Sequence, residues 1–139
     1  MPFTPPEPLP TPPAEVIGAK ILVVDDEVPW QTILATDLQL LGYQVLQADD
    51  AESALTVAIN QPELAIIDLM LPEPLDGRAL VEALRRRNFH FPVLFYTAYP
   101  VIPPGPNPPG VLGCMSKSVD RAELYSQLPE AILAHRKKL

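Results

Sequence analysis

Sulfur chemistry is almost missing from this chain. It has one cysteine, Cys114, which has no partner for an internal disulfide and fits a reducing compartment. Histidine is scarce too, and His90 and His135 lack the spacing of metal ligands. Positive charge is in short supply: ten Lys and Arg stand against 17 Asp and Glu, a net charge of −7. A nucleic-acid surface needs clustered cations, so this balance argues against a nucleic-acid partner. No apolar run approaches membrane-spanning length, and no basic-then-apolar segment opens the chain. The expectation is a cytoplasmic protein without a membrane partner.

Apolar residues and proline are abundant. An apolar fraction of 47% over 139 residues suits one domain with a real core. Seven of the 19 prolines fall in residues 1–13, where fixed φ and missing N–H donors oppose helix. Residues 1–19 read as an extended tail or linker, and 20–139 as the folded domain.

From Lys20 onward, short apolar runs alternate with helical patterns. Ile21–Val24, Tyr43–Ala48, Leu64–Ile67, Pro92–Tyr96 and Val111–Met115 read as strands. The continuous apolarity of the first and third suits strands buried on both faces of a parallel sheet. Between them Ile33, Leu34, Leu38 and Leu41 repeat at helical spacing after Pro29 and before Gly42. A second helix follows a cap at Asp50, and a third carries Leu80, Val81 and Leu84 into Arg85–Arg87. A last helix holds Leu124, Leu128, Ile132 and Leu133, and Pro129 should kink or divide it. This alternation predicts a doubly wound parallel α/β sheet with right-handed crossovers.

In such sheets the working groups lie beyond the carboxyl ends of the strands. There stand Asp25 and Asp26, Asp68, Thr97 and, after the fifth strand, Lys117. Three close carboxylates repel one another and call for a cation. Oxygen donors of this kind suit Mg²⁺, and a carboxylate is an acceptor for phosphoryl groups. Lys117 and Thr97 would serve phosphoryl oxygens. Taken singly, each acid has a plainer reading: Asp25 and Asp26 as complements to a helix dipole, Asp68 as a turn former.

Ile21-Leu22-Val23-Val24-Asp25-Asp26-Glu27, Ile66-Ile67-Asp68-Leu69-Met70-Leu71-Pro72, Thr97-Ala98, Lys117 and Val119-Asp120-Arg121-Ala122-Glu123-Leu124 together resemble the receiver domain of two-component response regulators. The resemblance implies a flavodoxin-like sheet of order 2-1-3-4-5. It implies a signalling switch rather than an enzyme with turnover. Asp68 would take a phosphoryl group from a histidine kinase or histidine phosphotransfer protein. Mg²⁺ would be held by Asp25, Asp26, Asp68 and the carbonyl of Met70, while Thr97 and Lys117 would contact the phosphoryl group. Met70 and Tyr99 would tune its lifetime. An unidentified downstream protein would read the state.

Four departures accompany the resemblance. Ser118 follows Lys117 where the family has proline, and that bond is cis in receivers, so the loop would be trans and Lys117 displaced. Cys114 stands where a signalling aromatic is expected. The loop after Asp68 reaches Asp76-Gly77 one residue later than the family's pattern, so its path must bulge. Between the fourth and fifth strands, Pro100, Pro103, Pro104, Pro106, Pro108 and Pro109 leave no room for the usual fourth helix. That would alter the usual dimer face and favour a homodimer, if any, by a non-standard one. Two other functions compete: a pseudo-receiver acting as a phosphorylation-independent interaction module, and a Mg²⁺-dependent phosphatase. The latter would want an acid where Met70 stands.

Overall fold

The computed structural model describes residues 9–98 and 105–139. The expected extended start over residues 1–8, and the expectations for Tyr99, Pro100, Pro103 and Pro104, lie outside them. Five strands, β1 (Lys20–Val24), β2 (Gln44–Ala48), β3 (Leu64–Ile67), β4 (Val93–Thr97) and β5 (Val111–Ser116), form one parallel sheet in the order β2-β1-β3-β4-β5. The predicted order is therefore the observed one.

Among the described residues five α-helices cover the sheet: α1 (Val28–Leu40), α2 (Ala51–Val57), α3 (Gly77–Arg86), α4 (Arg121–Ser126) and α5 (Leu128–Lys137). β1 and β3, apolar on both sides, supply both faces. Ile21, Val23, Leu64 and Ile66 pack with Leu34 and Leu38 of α1 and with Leu124, Leu128 and Ile132 of α4 and α5. Leu22, Val24, Ala65 and Ile67 pack with Ala54 of α2 and Leu80, Val81 and Leu84 of α3. This burial from water is the main force that holds the layers together.

Local chemistry sets the element ends. Pro29 sits in the first turn of α1, and Gly42 leaves it at φ +100°, a left-handed conformation that glycine adopts without strain. Asp50 caps α2 by accepting from the Ser53 amide at 2.7 Å, and Asp76 caps α3 through the Ala79 amide at 2.9 Å. Pro129 divides the last helical segment into α4 and α5, standing in the first turn of α5.

Two stretches differ from the plain reading of the sequence. Ala14–Val16 forms a 3₁₀ turn with Val16 fully buried, and Leu9 packs on the same core, so part of the 1–19 segment belongs to the packed unit. Arg136 fastens it, donating to the Glu15 carbonyl at 2.8 Å while pairing with both carboxylate oxygens of Glu63 at 2.6 and 2.8 Å. Of the interval between β4 and β5, the described residues 105–110 contain no helix. They are tied to α3 instead: Arg78 Nε donates to Asn107 Oδ1 at 3.3 Å and Arg85 Nε to the Pro109 carbonyl at 2.8 Å. Arg85 also donates to the Phe89 carbonyl and lies 5.9 Å from the Phe91 ring centre. It is a packed bracket between α3 and that loop.

Candidate functional site

Parallel strands of similar length end together, so β1, β3 and β4 deliver Asp25, Asp68 and Thr97 to one rim. Asp25 and Asp68 are each about 2% exposed and Thr97 is fully buried. Asp26, one residue on, faces solvent. Carboxylate oxygens of Asp25, Asp26 and Asp68 all lie within 4.8 Å of one another. The backbone holds the two buried acids in place: Asp25 accepts from the Glu27 amide at 2.9 Å, and Asp68 from the Met70 amide at 3.0 Å.

Lys117 closes the pocket from β5. Its Nζ is 2.7 Å from Asp25 Oδ2 and 2.8 Å from Asp68 Oδ2, with the side chain 4% exposed. The expected displacement of Lys117 does not occur. Among the described residues Glu73–Pro74 is the one cis peptide bond, so Lys117–Ser118 is trans, yet the ammonium still enters the pocket. Hydrogen bonds hold its backbone there. The Lys117 amide donates to the Thr97 carbonyl at 2.8 Å, the Ser118 amide to Ser116 Oγ at 3.1 Å, and the Val119 amide to the Ser116 carbonyl at 3.0 Å.

Burial pushes the Asp25 carboxyl above its ordinary value, against the downward pull of Lys117 and the Glu27 amide. Burial alone would lower Lys117, but the hydrogen bonds and charges of Asp25 and Asp68 hold it above its ordinary value. The ammonium therefore stays charged near neutrality and offsets the repulsion between the two buried carboxylates.

The loop after Asp68 returns close to the strand it left. The Gly77 amide donates to the Leu69 carbonyl at 3.0 Å, and a Cβ at Gly77 would lie 2.5 Å from the Asp68 carbonyl oxygen. Met70 is 46% exposed at the rim. Cys114, opposite Phe95 in the sheet, is half-buried, and burial raises its thiol above the ordinary value. This environment suits a small apolar residue better than a reactive thiol.

Two features escaped the sequence reading. Trp30 lies against the pocket, with the Lys117 ammonium 5.1 Å from its ring centre. Asp37 is fully buried, accepting from Arg121 Nε at 2.7 Å and from the Tyr125 hydroxyl. A signal for Asp37 did exist: it falls with Leu34, Leu38 and Leu41 on the apolar stripe of α1, where an acid needs a buried partner.

The acidic pocket fits a divalent cation on the chemistry of its donors. The set is all oxygen, and its three carboxylates outnumber the single positive charge of Lys117 beside them. Mg²⁺ accepts such carboxylates together with waters and phosphoryl oxygens.

A family model for the response regulator receiver domain matches residues 21–128. The alkaline phosphatase synthesis transcriptional regulatory protein PhoP of Bacillus subtilis is 45% identical over 83 residues, which are 59% of this chain and 34% of that protein. The phosphate regulon transcriptional regulatory protein PhoB of Pseudomonas aeruginosa is 34% identical over 86 residues, 60% of this chain and 37% of that protein. The chain thus spans about a third of the length of these curated relatives. Among solved structures, a CheY-like receiver domain from Methanospirillum hungatei superposes with a TM-score of 0.73 at 22% identity, covering 88% of this chain and 99% of that one. The N-terminal domain of a response regulator/sensory box/GGDEF protein from Carboxydothermus hydrogenoformans gives 0.75 at 25% identity, covering 86% and 98%. The relatives correct one expectation. PhoP and PhoB are named as transcriptional regulators, so the expectation of no nucleic-acid partner does not stand: it rested on the net charge of a chain that spans only about a third of such proteins. Among the described residues, no helix is long and apolar enough to cross a membrane.

Proposed function

The chain belongs to the response regulator receiver domain family, and from that premise we propose that it accepts a phosphoryl group on Asp68 and acts as a switch. The observation that carries this reading is the meeting of Asp25, Asp68 and Lys117 within 2.8 Å contacts at the strand ends. Asp68 is the nucleophile, its Oδ1 oriented by the Met70 amide. In-line attack on phosphorus releases the donor's leaving group, and water later cleaves the acyl phosphate, so the protein turns over only its own modification.

Asp25, Asp26, Asp68 and the Met70 carbonyl would hold Mg²⁺, which when bound neutralises charge on phosphoryl oxygens. Lys117 carries a compact positive charge on a flexible stem, and turns from Asp68 Oδ2 to the new phosphoryl oxygen. Thr97, at the adjacent strand end, is placed to donate its hydroxyl to another. The donor is a histidine kinase or histidine phosphotransfer protein. The names of the relatives point the output towards transcription, carried by nucleic-acid contact in a whole protein of that kind. The packed unit extends from about residue 20 to the C-terminus, with part of the preceding segment against it.

The test is uptake of phosphate from a small donor such as acetyl phosphate in Mg²⁺, read by intact mass. The wild type should gain one phosphoryl group and Asp68→Asn none. An inert wild type would favour the phosphorylation-independent interaction module.

A further inference from the structure

Lys117 reaches the pocket from an edge strand, along a trans peptide bond, with its ammonium between two acids. When Asp68 bears a phosphoryl group, at least one of those two contacts must be given up. While that exchange takes place, a contact that does not itself change would keep the ammonium nearby. The residue in place is Trp30: the ring centre is 5.1 Å from Nζ, within the range of cation–π attraction. The ring itself is fixed. It makes an edge-to-face contact with Tyr96, centre to centre 5.6 Å at 85°, and Tyr96 is 1% exposed. The Trp30 amide donates to the Glu27 carbonyl at 3.0 Å in the first turn of α1, directly after the acids.

We propose that Trp30 is a positioning residue for phosphoryl transfer, holding the Lys117 ammonium at the pocket through its ring face while Lys117 exchanges a carboxylate for a phosphoryl oxygen. The inference rests on the phosphoacceptor reading above. The aromatic supports the lysine in a loop that lacks a proline to fix it. Tyr96 keeps the ring upright.

Trp30 is the only tryptophan, so tryptophan emission reports the surroundings of this one ring, Lys117 among them. Addition of Mg²⁺ with beryllofluoride, a phosphoryl mimic, should change the emission of the wild type and leave Asp68→Asn unchanged. Phosphorylation by acetyl phosphate should slow about 5- to 10-fold in Trp30→Leu, the equivalent of losing a partly desolvated cation–π contact. Trp30→Phe, which keeps a ring face, should stay within about threefold of wild type. Thermal melts of each variant separate lost rate from lost fold. A Trp30→Leu chain that folds and reacts as fast as wild type overturns the inference alone. A wild type that takes no phosphoryl group overturns the phosphoacceptor reading and the inference with it. If Trp30→Leu does not fold, Lys117→Met decides: an unaltered Trp30 emission spectrum would show that ring and ammonium do not interact.

Discussion

Replacing Lys117 with alanine leaves Asp25 and Asp68 facing each other without the ammonium that now bridges them. Both carboxylates are about 2% exposed, and each lies within 2.8 Å of Nζ. Removing one partner of a buried ion pair costs about 3–5 kcal/mol. Asp26 faces solvent at the rim, so water can enter from that side, and the lower end of the range applies. For a chain of this size about 3 kcal/mol corresponds to a fall in Tm of roughly 10 °C. Mg²⁺ should return most of it, because a ligand at a hundred times its Kd stabilises by about 2.7 kcal/mol. The wild type should gain less from Mg²⁺, since the ammonium holds the same oxygens and must be moved aside. The assay is a pair of circular-dichroism melts, in chelator and in Mg²⁺, for both chains. Equal Tm values in chelator, or an equal gain from Mg²⁺ in both, would refute the idea that Lys117 serves as a built-in counter-ion.

Three more predictions rest on separate contacts. Gly77→Ala places a Cβ 2.5 Å from the Asp68 carbonyl; it should destabilise the chain by about 1–3 kcal/mol and slow phosphoryl uptake, seen in paired melts and mass measurements. Asp37→Ala strands the Tyr125 hydroxyl and removes the carboxylate that Arg121 Nε meets. Because Arg121 is 18% exposed and can turn to water, the loss should be about 3 kcal/mol by denaturant titration. Tyr43→Phe concerns alkaline pH. Burial raises the Tyr43 phenol from 10.0 to about 12, so the unfolded state gives up its proton first and stability falls as pH climbs from 10 to 12. The phenylalanine variant should lose less over that window, and an identical slope in the two chains would contradict it. The buried Tyr43 hydroxyl has no hydrogen-bond partner among the described residues, so the variant should be no less stable than wild type at neutral pH.

Much of the fold and of the pocket was legible along the chain because those signals are local. An apolar run of four residues closed by an acid, as in Ile21–Val24 with Asp25 or Leu64–Ile67 with Asp68, carries both the strand and the chemistry at its end. Alternation with helical spacing then places such ends on one rim, while the order of the strands followed from the resemblance to receiver domains. Proline is equally local, and its effect on α5 and on the described part of the loop before β5 follows from a missing donor and a fixed φ. Contacts between distant residues were not legible in this way. Asp37 meets Arg121 and Tyr125 from 84 and 88 positions away, and no short pattern announces such a pairing. The tail boundary blurred for the same reason, since Val16 is buried by a core assembled from later residues.

The amino-acid order by itself determined which groups end the strands, where helices start and stop, and that carboxylates, a hydroxyl and an ammonium share one edge. Those outcomes depend on dihedral preferences and on burial of nearby residues. Only the tertiary structure decided that Lys117 enters the pocket along a trans bond, that Trp30 flanks it, and that Arg78 and Arg85 bracket the loop that precedes β5. Each of these depends on the angle and depth at which packed layers bring side chains together.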